Sequence, residues 1–500
     1  MSAASFTVLR GGRVLDARGH RADPLDILVK GARIEDIGPP GLAAPEEASE
    51  IDATGFLLIP GLINAHTHGH GSLAKGMGDR WSLELLLNAA PWISGRRELE
   101  DKYLSAKLNA AEMVRKGCTA AYDLYFEFPT PTQDGMDAVA RGYADVGARA
   151  VIAPMMADRT LFEAIPGLMD ALPAPLRREV ETLKLSPGAE NLAACRKILQ
   201  GWSYDRDQIR LDLAPTIPLH CSDSFITGCR DLAAEFGVGL HMHLAESRVQ
   251  AVSAIERYGK TLTAHLADLG FLGPRFTAAH CVWLDDDDIA RMADSGSRIA
   301  HNPGSNLRLG SGIAPARAMR AGGVTVGIGT DGSNCADNQN MFDAMRIAAF
   351  VSRIMTPDYQ TWLETAEVIE MATTGSAACL GMADKIGRLA PGYDADIVFL
   401  DLANVNFVPF NDPTNQLVLS EDSSAVASVM IGGRLVLDRG EFTTFDYPKL
   451  IAEVEAAVER LRGATADLKH LSDKLEDVVG GFCVGLAKRP YHIHRWCGTV

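Results

Sequence analysis

Two histidines, His66 and His68, follow an apolar run and are the first side chains able to carry chemistry. The run from residue 56 to residue 59 is typical of a buried strand. Side chains alternate along a strand, so both imidazoles point to the same side. Two neutral imidazoles on one face suit a metal ion, which binds histidine nitrogen at about 2.0–2.1 Å. An isolated pair could equally be two surface histidines, so a metal site requires further candidate ligands elsewhere in the chain.

Three later strand-like runs each end in a reactive side chain. These side chains are His243, His280 and Asp331, and Glu246 lies three residues beyond His243. In parallel (β/α)8 barrels the active site is assembled at the C-terminal ends of the strands. The position of these residues therefore favours one shared site.

Strand-like and helix-like segments alternate through the middle of the chain, which is the pattern of βαβ units. The strand candidates are 57–64, 118–123, 149–154, 210–215, 238–243, 276–280, 297–301 and 324–329. Helices are predicted at 99–116 and 285–293, and the Pro-rich segment 158–190 is predicted to be an insertion with helical pieces. Short strands separated by glycine recur at both chain ends and predict a small sheet built from both.

Five ordered motifs resemble those of the amidohydrolase superfamily, in the branch of cytosine deaminase, methylthioadenosine/S-adenosylhomocysteine deaminase and the triazine hydrolases. The motifs are PGLINAHTH, HMHLAE, AAHCVWL, HNPGSNLRLGSGIAP and GIGTDGSN. The resemblance extends to about residue 445. It implies a metal-dependent hydrolase of the α/β class. The implied fold is a distorted (β/α)8 TIM barrel with a small discontinuous β-sandwich domain formed from both chain ends.

These patterns predict four segments. Residues 1–59 form the first part of the β-sandwich, 60–388 the barrel, 389–445 the second part of the sandwich, and 446–500 a helical C-terminal extension and tail. Residues 447–478 have helical periodicity and dense charge. His492 and His494 in the tail repeat the spacing of the first pair, but no other candidate ligands lie nearby. We expect the tail to have a role unrelated to metal.

The resemblance implies one divalent metal per chain, bound by His66, His68, His243 and Asp331, with an open position for water. The fourth strand, 209–216, has no lysine that could bridge two metals. Three nitrogens and one carboxylate suit Zn2+, with Fe2+ as a possible alternative. A bound ion lowers the pKa of its water from about 15.7 toward about 7. In matching motifs the second histidine of the pair is the ligand, so His241 is expected to pack or to orient a ligand.

Catalytic roles are predicted for three residues. By resemblance, Glu246 protonates the ring nitrogen or the leaving group, although a solvated glutamate is the simpler alternative. His280 could polarise the attacking water or be a core histidine. Asp331 could both bind the metal and accept the proton of the attacking water.

Substrate-binding residues are less well specified. His301 follows the seventh strand and either lines the pocket or belongs to a turn. Trp81 could contribute to an aromatic pocket or to the core. In purine-nucleoside deaminases the fourth strand ends in a histidine that contacts substrate, whereas Thr216 takes that place here. This difference argues against adenosine-type substrates.

The favoured function is hydrolytic deamination of an aminated N-heterocycle, in which metal-bound hydroxide attacks the ring carbon and ammonia leaves. The alternative is hydrolysis of another C–N or C–Cl bond, in an amide, urea, carbamate or chlorotriazine, including a xenobiotic one. A non-enzymatic scaffold would be expected to lose ligands, whereas all four are present.

Composition limits the partners. A formal charge of −16 argues against nucleic acid and anionic membranes. No run is long and apolar enough to span a bilayer, and the N-terminus does not resemble a signal peptide. Nine scattered cysteines without a C-x-x-C pair fit reduced thiols in the cytoplasm. We expect a cytoplasmic homodimer or higher homo-oligomer that acts on a small-molecule substrate.

Overall fold

The computed structural model describes residues 5–496, so the ends of the first and last predicted segments lie outside the described residues. Within this range the strands are β1 Phe6–Asp16, β2 Arg21–Lys30, β3 Arg33–Gly38, β4 Ser49–Asp52, β5 Phe56–Pro60, β6 Leu62–Thr67, β7 Cys118–Phe126, β8 Arg149–Met156, β9 Ile209–Leu211, β10 Ala214–Pro215, β11 Leu240–Leu244, β12 Phe276–His280, β13 Arg298–His301, β14 Thr325–Ile328, β15 Ile397–Asp401, β16 Val426–Ile431, β17 Arg434–Asp438 and β18 Glu441–Phe442.

The α-helices alternate with the strands through the middle of the chain and close its C-terminal part. They are α1 Leu83–Ser94, α2 Leu99–Arg115, α3 Gln133–Val146, α4 Leu161–Ala164, α5 Leu168–Ala171, α6 Ala174–Val180, α7 Gly188–Gly201, α8 Asp223–Phe236, α9 Arg248–Tyr258, α10 Leu262–Asp268, α11 Asp286–Asp294, α12 Pro303–Arg308, α13 Ala316–Ala321, α14 Met341–Ile354, α15 Thr365–Glu370, α16 Ser376–Cys379, α17 Pro413–Leu419, α18 Tyr447–Ala464 and α19 Ala466–Ala487.

One nine-stranded sheet contains strands from both ends of the chain. Its order is β18-β17-β16-β15-β5-β1-β2-β3, with β4 beside β1. Strands β5 and β15 pair antiparallel, so Ile59 lies opposite Val398. Apolar side chains from both ends, including Ile27, Leu58 and Phe399, are buried in a shared cluster. The shared sheet confirms the predicted pairing of the two ends.

Parallel strands form the rest of the sheet structure. Strands β10-β8-β7-β6, with β9 beside β8, make one sheet, and β11-β12-β13-β14 make another. A parallel bridge between Leu213 and Leu240 joins the two sheets. At the opposite edges, the N–H of Asp331 donates to the carbonyl of His66 at 2.9 Å. The C-terminal ends of these strands are therefore brought together, as the βαβ pattern predicts.

The first strand candidate, 57–64, differs in the structure from its prediction. It is divided into β5, which belongs to the nine-stranded sheet, and β6, which begins the parallel strands. The division occurs at Gly61, where a Cβ would lie only 2.1 Å from the Thr119 hydroxyl. Glycine at this position lets the backbone approach β7 closely as the chain passes from one sheet to the other.

The C-terminal helices pack against the middle of the chain. The predicted helix at 447–478 is two helices, α18 and α19, separated at Thr465. Buried residues of α19, including Leu475 and Val479, share an apolar cluster with Leu168 of the 158–190 insertion. Asn88 of α1 also donates to the Ser472 carbonyl at 3.0 Å. The predicted insertion and extension thus form one contact region beside α1.

The eight cysteines between residues 5 and 496 are free and buried, which fits the reduced state predicted from their scattered positions. Across the same residues, no helix has the length and apolar character needed to cross a membrane.

Asp288, in α11, is predicted to destabilise the fold once pH rises above about 6. Burial, and then the charge of Asp285, raise the pKa of Asp288 from 3.8 to about 6, although a hydrogen bond from Thr261 opposes the shift. A carboxyl group with a raised folded-state pKa contributes stability below its unfolded pKa, and that stability is lost as pH rises through the folded value. We expect Asp288→Asn to raise stability at pH 8 by roughly 1–3 kcal/mol and to change it little at pH 4.

Thermal unfolding at both pH values tests this prediction, with Asp286→Asn as the control because Asp286 is exposed in the same helical turn. If Asp288→Asn were less stable than the wild type at pH 8, charge burial would not be the dominant effect at this position.

Candidate metal centre

Three strand ends bring the four predicted ligands together. His66 and His68 lie at the end of β6, His243 lies in β11, and Asp331 follows β14. The Nε2 atoms of His68 and His243 are 3.1 Å apart. Asp331 Oδ1 lies 3.2 Å from His68 Nε2 and 3.6 Å from His66 Nε2. All four side chains are buried.

The hydrogen bonds of two ligand candidates fix which ring nitrogen carries the proton. His68 Nδ1 lies 2.7 Å from the Leu124 carbonyl, and His243 Nδ1 lies 2.8 Å from the Thr216 carbonyl. Because a carbonyl oxygen only accepts, each Nδ1 donates, and in a neutral ring the lone pair is then on Nε2.

Two facing lone pairs beside a carboxylate repel one another unless a cation lies between them. Burial, followed by the charges of neighbouring histidines, lowers the pKa of His243 well below its usual value, so the ring is neutral. His66 Nε2 is also buried, without a hydrogen-bond partner among the described residues. This donor set fits a divalent metal, for which neutral imidazole and carboxylate are the usual ligands.

His241 contacts one predicted ligand. His241 Nε2 lies 3.2 Å from His66 Nδ1, and both rings are fully buried. Burial lowers the pKa of His66 to about 3 and that of His241 well below its usual value. Both rings are therefore neutral, and one donates to the other. This contact leaves His66 Nε2 facing Asp331, which suits the predicted orienting role of His241.

The two oxygens of Asp331 face different neighbours. Oδ1 faces the imidazoles, whereas Oδ2 accepts from the Ser305 hydroxyl at 2.7 Å and lies 3.7 Å from His280 Nε2. Burial acts to raise the pKa of Asp331, but contact with His66 and the charges of His68 and His280 hold it well below its usual value. The carboxylate can therefore face the metal cluster and His280 at the same time.

Glu246 and His280 form a second pair beside the ligands. Glu246 Oε2 is buried without a hydrogen-bond partner among residues 5–496 and lies 3.7 Å from His280 Nε2. Burial, and then the charges of Asp331 and Glu84, raise the pKa of Glu246 well above its usual value. His280 Nδ1 lies 2.9 Å from the Asn306 side-chain oxygen, so Nδ1 donates and Nε2 faces the two carboxyl groups. A protonated acid, an imidazole and a carboxylate thus adjoin one another.

A family model described as "Amidohydrolase family" matches residues 57–436 of this chain. The chain belongs to the amidohydrolase family. This result confirms the resemblance inferred from the five motifs, and it identifies the protein as a hydrolase of C–N bonds.

Curated relatives cover nearly the whole chain. The 5'-deoxyadenosine deaminase of Methanothermobacter thermautotrophicus is 33% identical over 458 residues, which are 91% of this chain and 99% of the relative. The 5-methylthioadenosine/S-adenosylhomocysteine deaminase of Moorella thermoacetica is 34% identical over 431 residues, which are 86% and 93% of the two chains.

Solved structures are also similar to this chain. A zinc-bound adenosine deaminase from Xanthomonas campestris has a TM-score of 0.80 and 27% identity, covering 91% of this chain and 98% of its own. A zinc complex of atrazine chlorohydrolase from Arthrobacter aurescens has a TM-score of 0.79 and 27% identity, covering 90% and 100%.

The two predicted substrate-binding residues of this amidohydrolase lie in different surroundings. His301, at the end of β13, is buried and has no hydrogen-bond partner on either ring nitrogen within the described residues. Burial, together with the charge of His280, lowers the pKa of His301 to about 4, so its ring is neutral. Trp81 is half-buried, packs edge-on to Trp92 at 6.3 Å and adjoins a cluster that contains Leu309. A substrate contact stays a prediction for both residues.

Sequence reasoning missed Glu84 and Ser305. Glu84 is buried in α1, where its carboxyl group accepts from Ser247 at 2.7 Å and from Ser82 at 2.9 Å. It also lines a cavity of about 340 Å³. Ser305 lies in the HNPGSN motif, which could have suggested it. Glu84 had no such signal, because its partner Ser247 lies 163 residues away in sequence.

Proposed function

We propose that this amidohydrolase is a hydrolytic deaminase of an aminated N-heterocycle. The observation that carries the proposal is the approach of Glu246 and Asp331 to the same nitrogen of one imidazole: His280 Nε2 lies 3.7 Å from a carboxyl oxygen of each, next to the candidate metal ligands. Deamination needs both a proton donor and a proton acceptor around one attacking water. The deaminase names of relatives at 33% and 34% identity support the same chemistry.

The proposed metal ligands are His66, His68, His243 and Asp331, and the proposed ion is one Zn2+ per chain, with Fe2+ as a possible substitute. The zinc bound to the two solved relatives supports this choice. The lack of lysine in residues 209–216 supports a single ion. When bound, a divalent metal lowers the pKa of a coordinated water from about 15.7 toward about 7 and so supplies a nucleophile at neutral pH.

The side chains move the protons that this reaction requires. Water adds to the amine-bearing ring carbon, and Asp331 accepts the water proton. Glu246, protonated because burial raises its pKa, donates to the ring nitrogen as the C–O bond forms. His280 Nε2 lies 3.7 Å from an oxygen of each carboxyl group and can pass a proton from Asp331 toward the amine. The C–N bond then breaks and ammonia leaves, while the added hydroxyl returns its proton to Glu246, so that an oxo product remains and the acid is restored.

A second candidate is hydrolysis of another C–N or C–Cl bond. It is supported by the TM-score of 0.79 with atrazine chlorohydrolase.

Thr216, whose carbonyl accepts from His243, stands where purine-nucleoside deaminases carry a substrate-contacting histidine. This difference leaves pyrimidines, pterins and triazines as candidate substrates beside purines.

Purified enzyme is expected to release ammonia from at least one amino-pyrimidine, purine, pterin or triazine. A chloride leaving group needs no proton, so a protonated Glu246 is of most use when an amine leaves. A coupled ammonia assay across these rings, run beside chlorotriazines, ureas and amides, provides the test. Cleavage of an acyclic urea or amide without ammonia from any amino-heterocycle would replace the proposal by the second candidate.

We also propose that the two parallel sheets close into one distorted (β/α)8 barrel spanning residues 60–388. The Leu213–Leu240 bridge and the Asp331–His66 hydrogen bond support this closure. Residues 1–59 and 389–445 would then form a discontinuous β domain, and residues 446–500 an extension.

A further inference from the structure

The C-terminal tail, Tyr491–Trp496, lies against the segment that follows His280. Arg495 donates from Nε to the Val282 carbonyl at 3.1 Å and from Nη2 to the Leu284 carbonyl at 2.7 Å. One guanidinium therefore bridges two carbonyls of the same segment. A planar guanidinium that makes two bonds fixes the orientation of its partners as well as their distance.

The tail also binds the segment that follows α12, the helix that carries Asn306. The Ile313 N–H donates to the Arg495 carbonyl at 2.8 Å, and Trp496 Nε1 donates to the Gly310 carbonyl at 3.0 Å. Between them, Gly312 has a φ of +124°, and a Cβ there would lie 2.9 Å from the Arg495 carbonyl. Glycine at this position permits the tail to pass this closely.

Trp283 and Arg248 connect the tail to a third segment. Trp283 is fully buried and packs edge-on to Trp496 at 5.4 Å, while its Nε1 donates to the Ser311 carbonyl at 2.9 Å. The Arg248 guanidinium lies 5.5 Å from the Trp283 ring centre and 5.2 Å from that of Trp496. Arg248 follows Glu246 by two residues. The tail thus contacts the segments after β11, β12 and α12.

Strained backbone adjoins two of these segments. Ala245, His280 and Cys281 have φ values of 48°, 69° and 53°. Left-handed conformations of residues other than glycine cost free energy and persist only where the surroundings hold them. Glu246 and His280 are therefore carried on backbone that requires external support.

We propose that the tail is a positioning element for catalysis. Arg495 holds the segment after His280, and Trp496 holds the segments that carry Glu246 and Asn306. Trp496 also lines the cavity of about 340 Å³ together with Glu84, Ser247 and Ser311. This positioning role depends on the proposed deaminase function only in the experiments that measure turnover.

Turnover is the first test. Deletion of residues 491–500, and Arg495→Met alone, are expected to lower kcat about 10²-fold, because a displacement of about 1 Å in a catalytic group has this effect. Metal content should remain unchanged, since the bonds of Arg495 and Trp496 are to residues other than the proposed ligands.

Two variants separate positioning from general stability. Arg495→Lys keeps a charged donor and should recover part of kcat, although one ammonium cannot reproduce both bonds. Arg489→Met is the matched control, because the Arg489 side chain pairs with Glu256 on the surface. Its kcat and KM should equal those of the wild type. Normal kcat in the deletion protein, even with a lower unfolding temperature, would overturn the proposal.

Hydrogen exchange tests the tail without any substrate. Arg495→Met should accelerate amide exchange at residues 281–285 and 309–313, and Arg489→Met should not. If the wild type released no ammonia from any heterocycle, the proposed deaminase function would be wrong. Amide exchange would still test whether the tail holds these two segments. Unchanged exchange at both segments in Arg495→Met would show that Arg495 does not hold them.

Discussion

Asp331→Ala and His66→Ala are each expected to abolish hydrolysis together with tight metal binding. Asp331 Oδ1 lies 3.2 Å from His68 Nε2 and 3.6 Å from His66 Nε2, so either change removes one of four converging donors. Loss of a side chain that hydrogen-bonds to a metal ligand typically reduces metal affinity or activity about 10–100-fold. Loss of a direct ligand should exceed that range and bring turnover below detection.

Elemental analysis of the purified proteins tests the metal assignment. We expect about one divalent ion per wild-type chain and a small fraction of that in either variant. His20→Ala is the matched control, because His20 is exposed and pairs with Asp412 far along the chain. It should keep the wild-type metal content. Two ions per active wild-type chain would contradict the assignment of a single metal.

The strand ends and their polar residues were predictable because each signal is local. His66 and His68 share a face through a spacing of two residues, which any strand imposes. His243 and Glu246 lie within one short motif of β11 and the turn after it. The parallel order then follows from alternating strands and helices, since such units bring C-terminal strand ends to the same side.

The features that escaped prediction depend on contacts between distant parts of the sequence. The His241–His66 contact joins rings 175 residues apart, and neither motif specifies which nitrogen faces the other. Glu84 is placed by Ser247, 163 residues away. The tail was expected only to have a role unrelated to metal. Its binding sites on the segments after β12 and α12 are backbone carbonyls and the Ile313 N–H, which have no signature in side-chain type.

Predicting the protonation of the site requires the structure as well. In sequence, Glu246 is one of many acidic residues, and a solvated glutamate was the simpler alternative. Its relative exposure is 1%, and its Oε2 lacks a hydrogen-bond donor among the described residues. These surroundings favour the neutral acid, because burial disfavours the charged form. The burial of Glu246, in addition to its spacing from His243, therefore supports its predicted role as the proton donor.

Glu246→Gln is expected to keep the metal and to lose turnover. The amide has nearly the same size as the carboxylic acid, so the nearby donors of His68, His243 and Asp331 should remain in place. It cannot donate and recover a proton, and general acid–base catalysis typically contributes about 10²–10⁴-fold. We therefore expect kcat on the best amino-heterocycle to fall within that range while metal content stays at the wild-type value.

Two further variants complete this test. Glu246→Asp retains an acid but withdraws it by one methylene group from His280, whose Nε2 lies 3.7 Å from Glu246 Oε2. Its kcat should lie between those of the wild type and Glu246→Gln, because proton transfer depends on reach as well as on acidity. Glu455→Gln, at an exposed site in α18, should behave as the wild type. A near-normal kcat for Glu246→Gln would assign Glu246 a packing role and leave His280 and Asp331 to move the protons.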